Sequence, residues 1–257
     1  MTSREVPLPR LLPRLRVTPK FRWLRALAID FGLVTAVMAG YFVLRGMAPN
    51  RPEFALDVSR QLIAFERAIG VFWEPEVQSA SIRYEWLKEA ANFIYAYGHF
   101  PVLVAVAVWL WVRGRPSFLD LRNTIVVSMA IGLVMYYLLP AAPPRLLEAH
   151  GIDLGFVDTI FGGGTAVEYA QPDIILNDYA AIPSFHFGWI ALASAAIWVN
   201  TKSLPARTLA LALTVIMSWA IVATGNHFFV DMVIGGAVVL AAWALAIRWR
   251  ASRWLRW

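Results

Sequence analysis

Three short polar segments stand out from an otherwise apolar sequence because their residue types can do chemistry. The first ends at Arg145, the second ends at His186, and the third contains His227, with Asp231 four residues further on. A histidine and an aspartate at this spacing share one face of a helix and lie within hydrogen-bond reach. Such a carboxylate fixes the tautomer of the imidazole and stabilises its cation, as in a catalytic triad.

The first and second segments add groups that can bind an anion. Arg145 presents a fixed fork of N–H donors to an oxyanion. Both histidines are predicted to lie in the first turn of a helix, where unpaired N–H groups and the helix dipole favour an anion. Pro183 suits a helix start and Ser184 suits its N-cap. Together these groups predict phosphoryl transfer, in which one histidine attacks and another protonates the leaving oxygen.

Each of these residues also has an ordinary structural interpretation when it is taken alone. A single histidine at a helix end is commonly a packing residue, and Arg145 alone would suit a lipid head group. The prediction of a site therefore depends on the residues lying at one depth of the protein.

The composition indicates that the protein lies in a membrane. Of 257 residues, 59% are apolar and only 16% are charged, and the mean hydropathy is +0.58. Soluble domains have about 45–50% apolar and about 25% charged residues. The lack of cysteine in the sequence excludes disulfides, thiolate metal sites and a cysteine nucleophile. The net charge of +6 comes from basic residues near predicted membrane ends, so no nucleic-acid partner is expected.

The apolar runs predict an all-α, polytopic membrane bundle with about six transmembrane helices and an interfacial amphipathic helix. Runs of roughly 17–23 residues fit a hydrocarbon core about 30 Å thick. The predicted spans cover about residues 26–42, 90–112, 124–139, 184–200, 206–223 and 227–247. Residues 1–25 form a basic segment expected to lie on anionic lipid in the cytoplasm. Residues 26–257 are predicted to form a single transmembrane catalytic domain.

The segment 53–70 is predicted to be the amphipathic helix. Its apolar residues recur at three- and four-residue spacing, the period of such a helix. They are Phe54, Val58, Leu62, Phe65 and Ile69. A helix of this kind at the foot of a span is expected to lie in the membrane interface. A lid over the site is the open alternative.

Two spans carry polar residues at membrane depth. The second span contains Tyr95 and His99, and ionisable groups there usually face the bundle interior or a wet cavity. His99 is either a substrate-lining group or a hydrogen-bonded packing histidine. Pro101 is expected to kink this span. Asp30, in the first span, is expected to form a structural pair with a nearby arginine.

The loop charges predict the orientation of the protein. Basic residues join spans two and three, join spans four and five, and follow span six, whereas the remaining loops are acidic. The positive-inside rule then places both termini in the cytoplasm, in a multi-pass protein of the cell membrane. Arg145, His186 and His227 all fall at the opposite ends of their spans. This shared depth predicts an active site at the extracytoplasmic face.

The three motifs resemble those of the type-2 phosphatidic acid phosphatase superfamily, whose signatures are Lys-x6-Arg-Pro, Pro-Ser-x-His and Ser-Arg-x5-His-x3-Asp. The resemblance is stronger to its inositolphosphotransferase branch, which includes inositol phosphorylceramide synthases. There a proline-rich Pro-Pro-Arg, like that ending at Arg145, replaces the first signature. The segments 177–186 and 225–231 also resemble that branch, as do, more loosely, Tyr95 with His99 and the stretch from Phe72 to Gln78.

The resemblance implies a metal-independent enzyme without a cofactor. His227 would become phosphorylated, Asp231 would orient it, and His186 would be the acid for the leaving group. Arg145 and Ser184 would bind the phosphate. The partners would be a phospholipid donor and a lipid or glycolipid acceptor. The candidate substrate-lining residues are Tyr95, His99, Asn226 and Asp178.

The sequence departs from the signatures where two cations are expected. The lysine position is Leu138 and the arginine of the Ser-Arg pair is Ile221. A phosphomonoester carries about −1.5 to −2 charges near neutral pH, whereas a diester carries one. A site with Arg145 as its main cation is therefore predicted to take a phosphodiester donor, such as a phosphatidylinositol-type lipid. A lipid or polyprenyl phosphatase and a non-enzymatic binder or transporter of anionic lipid are the alternatives.

Overall fold

The computed structural model describes residues 19–169 and 171–251, of which 75% are helical, with no β-strand among them. The predicted basic segment falls mostly outside this range, and its last residues already belong to the first helix. The helices are α1 Pro19–Gly46, α2 Pro52–Ala68, α3 Glu74–Ile82, α4 Glu85–Phe93, α5 His99–Arg113, α6 Arg115–Leu138, α7 Phe185–Asn200, α8 Leu204–Ala223 and α9 Phe229–Ala251. A π-helical turn at Ile94–Gly98 joins α4 to α5.

The prediction of an all-α polytopic bundle is confirmed. Within the described residues, five segments are long and apolar enough to cross a membrane. They are Trp23–Gly46, Glu85–Arg113, Arg115–Leu138, Leu204–Ala223 and Phe229–Arg248. The sixth predicted span is the shorter apolar helix α7, whose 16 residues reach about 24 Å at 1.5 Å per residue.

Helix α7 lies at the centre of the bundle and packs against α5, α6, α8 and α9. Its approach to α9 is close because Gly235 has no side chain: a Cβ there would lie 2.2 Å from the carbonyl oxygen of Ser184. The backbone N–H of Ser184 also donates to the carbonyl oxygen of Asp231 at 3.2 Å. The two segments that carry the histidines are therefore joined directly.

Helix α2 is amphipathic as predicted, but the face that packs on the protein differs from the predicted stripe. Its buried residues are Ala55, Leu56, Ser59, Ile63 and Glu66. Phe54, Phe65 and Ile69 are exposed instead. Val58 and Leu62, from the same predicted stripe, pack partly against the core, so the stripe is divided between the bundle and the outward face. Periodicity alone selected the row with the larger side chains.

The second span is irregular one turn before its proline. Pro101 lies inside α5, and the chain widens into the π-helical turn that includes Tyr97. Proline has no N–H to donate to the carbonyl four residues earlier, and its ring crowds that carbonyl. Here that carbonyl belongs to Tyr97. The irregularity is therefore a wide turn that lies directly before His99.

At the other end of the bundle, Asp30 forms the structural pair predicted for it. Its carboxylate accepts from Arg115 Nε at 2.9 Å and from Trp111 Nε1 at 3.0 Å. Arg122 lies 3.7 Å away. This group ties α1 to the link between α5 and α6. It lies at the opposite end of α6 from the Pro143–Arg145 segment.

Candidate active site

A tight turn between α8 and α9 positions His227. Gly225 adopts a φ of 66°, in the left-handed region that glycine occupies without strain. The N–H groups of Asn226 and His227 both donate to the carbonyl oxygen of Ile221, at 3.1 and 3.2 Å. His227 therefore lies in the turn that follows α8 and is bonded to its last residues. The prediction that it lies in the first turn of its helix is wrong, because α9 begins only at Phe229.

His227 nevertheless faces Asp231, as the spacing predicts. Its Nδ1 lies 3.4 Å from Asp231 Oδ2, and both side chains are buried. The same carboxylate oxygen accepts from the backbone N–H of Phe228 at 2.9 Å. This contact turns the carboxylate back toward the histidine. Because His227 lines a cavity and its Nδ1 faces the carboxylate, Nε2 is the ring nitrogen left for a substrate.

Two further carboxylates hold the first turn of α9. Glu74 Oε1 accepts from Phe229 N–H at 2.8 Å, and Glu66 Oε1 accepts from Val230 N–H at 2.7 Å. Both glutamates have no solvent-exposed surface. With Asp231, they satisfy three successive N–H groups of a helix start, where a partial positive charge favours carboxylates. They place α2 and α3 directly behind His227.

Glu66 and Glu74 also contact each other. Burial and the neighbouring Glu74 raise the pKa of Glu66 to about 9, and burial raises the pKa of Glu74. In each glutamate, Oε2 has no hydrogen-bond donor among the described residues. Two acceptors side by side cannot bond to each other unless one of them carries a proton.

The start of α7 is built differently. Ser184 is its N-cap, as predicted, and its hydroxyl accepts from Phe187 N–H at 3.5 Å. Ser184 is fully buried and does not line the cavity, so the structure places it behind His186. His186 lies in the first turn of α7, also as predicted. Its Nε2 is buried and has no hydrogen-bond partner in the described part of the chain.

Aromatic rings hold His186 in place. Tyr95 stacks on its imidazole with ring centroids 4.4 Å apart, and His99 meets it edge-on at 4.4 Å. The imidazole of His227 is 5.8 Å away. The irregular turn before Pro101 therefore delivers two side chains to the histidine of α7.

Arg145 lies in a short 3₁₀ turn that is bonded to the His227 segment. Its N–H donates to the carbonyl oxygen of Gly225 at 2.8 Å, and its Nε donates to Asn226 Oδ1 at 3.0 Å. The guanidinium pairs with Asp158 at 2.8 Å and lies 3.8 Å from Asp178. Two carboxylates thus accompany this arginine.

A second arginine reaches the same cavity, which corrects the expectation that Arg145 is its main cation. Arg45, near the end of α1, donates to Gln171 Oε1 at 3.2 Å and to the carbonyl oxygen of Ile175 at 3.0 Å. Its Nε is buried and has no partner among the described residues. Leu138 is largely exposed and Ile221 is fully buried in the core. The cation from α1 therefore comes from outside the expected positions.

The long segment between α6 and α7 is fastened to α3 and α4. Gln78 Nε2 donates to the carbonyl oxygens of Val157 and Ala223, and its Oε1 accepts from Val157 N–H. Asn92 and Thr159 exchange two hydrogen bonds of 2.8 Å. These amides bring Asp158 to Arg145.

These groups surround a cavity of about 90 Å³. The predicted site residues that line it are Tyr95, His99, Arg145, Asp178, His186, Asn226 and His227. Asp231 and Ser184 lie behind the wall, each in contact with a histidine-bearing segment. Sequence reasoning missed Arg45, Glu66 and Asp158.

A family model with the description PAP2 superfamily matches residues 60–245. The chain belongs to the PAP2 superfamily. This match confirms the superfamily resemblance and the expectation of a phosphatase or phosphotransferase type of lipid enzyme. No curated protein and no solved structure matches the chain. The matched range begins within α2 and ends within α9, so it contains every site residue discussed above except Arg45. In this PAP2 superfamily member, Arg45 is contributed from outside the matched region.

Proposed function

We propose that the protein is a lipid phosphotransferase that moves a phosphorylated, inositol-phosphate-type head group from a phospholipid to a lipid or glycolipid hydroxyl. The observation that carries this proposal is the arrangement of His227, which lines the cavity and whose Nδ1 faces Asp231. His186 and Arg145 line that cavity. The arrangement supplies a nucleophile, an acid and an anion-binding group around one small volume.

In the first step, Nε2 of His227 attacks phosphorus and the bond from phosphorus to the glycerol oxygen breaks. Protonated His186 gives its proton to that oxygen, and diacylglycerol leaves. His227 keeps its Nδ1 proton, and the Asp231 carboxylate that faces this N–H stabilises the positive imidazole of the phosphohistidine. In the second step, the acceptor hydroxyl gives its proton to His186 and its oxygen attacks phosphorus. The bond between nitrogen and phosphorus breaks, and both histidines return to their initial state.

The charges around the cavity support a diester donor. Arg45 and Arg145 supply two positive charges, and Asp158 and Asp178 supply two negative charges close to Arg145. The arginines therefore leave little excess positive charge for a phosphomonoester dianion, since an uncompensated buried charge costs several kcal/mol. The diester prediction thus rests on this balance, and no longer on a missing cation.

The acceptor atoms near the arginines support a polyol head group. Asp178 and Gln171 both line the cavity, and Asp178 is half exposed. Carboxylate and amide oxygens accept hydrogen bonds from hydroxyl groups. A head group with several hydroxyls, such as inositol, would find acceptors beside the phosphate-binding arginines.

The test is a comparison of donors with purified protein. Phosphatidic acid, a polyprenyl phosphate and phosphatidylinositol are each supplied with and without a ceramide or glycolipid acceptor. We expect diacylglycerol release and head-group transfer from phosphatidylinositol only with an acceptor. The activity should survive EDTA, because the carboxylates beside His227 are committed to backbone N–H groups. Fast phosphate release from the monoesters, with phosphatidylinositol untouched, would favour a phosphatase instead. No turnover of any donor would favour a lipid-binding protein.

We also propose that the site opens at the extracytoplasmic face of the cell membrane. The support is the excess of basic residues in the loops at the opposite end of the bundle. Because the chain lacks cysteine, single cysteines are clean probes. In intact cells, a membrane-impermeant maleimide should label Ala149→Cys, near the site, and spare Ser203→Cys, in the basic loop. Both positions are exposed. The reverse labelling would invert the proposed orientation.

A further inference from the structure

We propose that Glu66 and Glu74 form a carboxylic acid–carboxylate pair with a single shared proton, which holds the first turn of α9 and sets the charge behind His227. These two glutamates take no direct part in the proposed chemistry, because they line the far side of the turn. They act as positioning residues.

The hydrogen bonds account for all four carboxyl oxygens only if one proton is present. Each Oε1 accepts a backbone N–H, from Val230 for Glu66 and from Phe229 for Glu74. Each Oε2 is buried and has no donor among the described residues, and the two carboxyl groups lie within hydrogen-bonding contact of each other. A single proton between the two Oε2 atoms satisfies both. Without it, two like charges would meet with no exposed surface.

Two protons would also fit poorly. A fully neutral pair would leave one hydroxyl hydrogen without an acceptor and would lose the attraction between a carboxylate and the helix N-terminus. The pair therefore carries one negative charge. The titratable groups that face it are Asp231 on α9 and, beyond Asp231, His227. Asp231 and the pair together place two negative charges behind the imidazole.

This charge has a specific use, and here the inference rests on the proposed role of His227. A phosphorylated imidazole carries positive charge, which nearby carboxylates stabilise. The pair would add to the effect of Asp231 without contacting the substrate. The same hydrogen bonds fix the backbone on which Asp231 is carried.

The first measurement does not depend on activity. Infrared spectra of the purified protein at pH 7 should show the carbonyl stretch of a buried protonated carboxyl group. This band should disappear in both Glu66→Gln and Glu74→Gln, because the remaining glutamate then ionises and accepts from the new amide. It should persist in Glu76→Gln, which removes an exposed acid from the same helix as Glu74. A wild-type spectrum without the band, or a band that survives either single change, would overturn the proposal.

The second measurement uses head-group transfer. Each single glutamine variant keeps one negative charge and both backbone hydrogen bonds, so we expect losses in kcat of less than about three-fold. The double variant loses the charge, and we expect kcat to fall a further ten-fold or more. The acidic limb of its kcat/KM profile should move about one pH unit lower. A cap without an electrostatic role would leave that limb in place.

Two kinetic outcomes would contradict the inference. Either each single variant loses as much as the double variant, or a folded double variant keeps the wild-type rate and pH profile. If the double variant does not fold, the infrared band and the single variants still decide the matter. If the band behaves as expected but no head-group transfer is found with any donor, the proposed function fails and the shared proton stands.

Discussion

The two histidine-bearing segments are held at their helix starts in different ways. His186 follows Ser184, a neutral N-cap that bonds to an N–H three residues along its own helix. His227 precedes a helix start at which Asp231, Glu74 and Glu66 accept three successive N–H groups. One cap is local and neutral, and the other is acidic and drawn from three helices.

This difference separates the electrostatic surroundings of two identical side chains. A neutral cap leaves the partial positive charge of the α7 start acting near His186, which favours an anion beside it. The carboxylates at the α9 start favour positive charge on His227. One histidine therefore suits the release of a proton to a leaving oxygen, and the other suits attack on phosphorus. Environments that differ in this way are how a site assigns acid and nucleophile to similar groups.

The largest effects are expected when either histidine is replaced singly by glutamine. His227→Gln should abolish turnover of every donor, by about 10³-fold or more, since it removes the nucleophile. His186→Gln should be equally slow with phosphatidylinositol. It should recover most of its activity on a nitrophenyl phosphodiester, whose leaving group needs no proton. Initial rates on both donors provide the measurement. If the His227→Gln variant recovered activity on the nitrophenyl phosphodiester instead, His186 would be the nucleophile and His227 the acid.

The next largest effect is expected at Asp231, the carboxylate of the acidic cap that belongs to α9 itself. Asp231→Asn keeps the side-chain size but loses the negative charge, so the tautomer of His227 is no longer fixed by a carboxylate. We expect kcat to fall by about 10²- to 10⁴-fold with little change in KM. The control is Asp153→Asn, an acidic residue of the loop between α6 and α7. An Asp231→Asn variant with near-normal kcat would remove the carboxylate from the mechanism.

The neutral cap at the start of α7 was predictable from sequence, because it is formed within one segment of the chain. Ser184 and His186 were placed correctly because an N-cap acts within one turn, over three residues of chain. The spacing of His227 and Asp231 also brought them together, although not by the expected route. Asp231 lies in the first turn of α9 and accepts from the backbone N–H of Phe228, whereas His227 lies in the preceding turn, outside the helix.

The acidic cap at the start of α9 was not predictable, because the contacts of Glu66 and Glu74 with α9 depend on tertiary packing. Glu66 follows Ala55, Ser59 and Ile63 on one face of α2, a row that sequence analysis passed over for a more apolar one. An acid within such a row was the available signal. Arg45 left a similar signal, as an arginine at the end of a span on the otherwise acidic side. Asp158 left none, because only the anchoring of its loop brings it to Arg145.

A smaller effect should appear in the pH dependence of stability. The pKa of Glu66 rises from 4.5 in the unfolded chain to about 9 in the folded protein. The folded state therefore binds a proton that the unfolded state releases between these values. Its contribution to stability is complete below about pH 4.5 and is lost as the pH rises toward 9. Removing this titration reduces the slope of the free energy of unfolding against pH by at most about 1.4 kcal/mol per pH unit.

Glu66→Gln is the variant that tests this dependence, because its amide does not titrate and still accepts from Val230. Thermal unfolding in detergent at several pH values between 5 and 9 gives the two profiles. Glu53→Gln, an exposed acid on the same helix, is the matched control and should keep the wild-type slope. Parallel profiles for wild type and Glu66→Gln would mean that the acidic cap does not hold a proton in this range.

The smallest effect belongs to the neutral cap. Ser184→Ala removes the acceptor for Phe187 N–H, and loss of an N-cap of this kind costs about 1 kcal/mol. The hydrogen bond is long, at 3.5 Å, and the hydroxyl does not line the cavity. We therefore expect a small decrease in thermal stability in detergent and a change in kcat and KM of less than about three-fold. Ser203→Ala is a suitable control, because Ser203 precedes α8 without a side-chain capping bond. A Ser184→Ala variant that folds normally but loses 10²-fold or more in kcat/KM would show that the hydroxyl acts on the phosphate. The start of α7 would then be part of the phosphate site, and the contrast between a neutral structural cap and an acidic functional one would no longer hold.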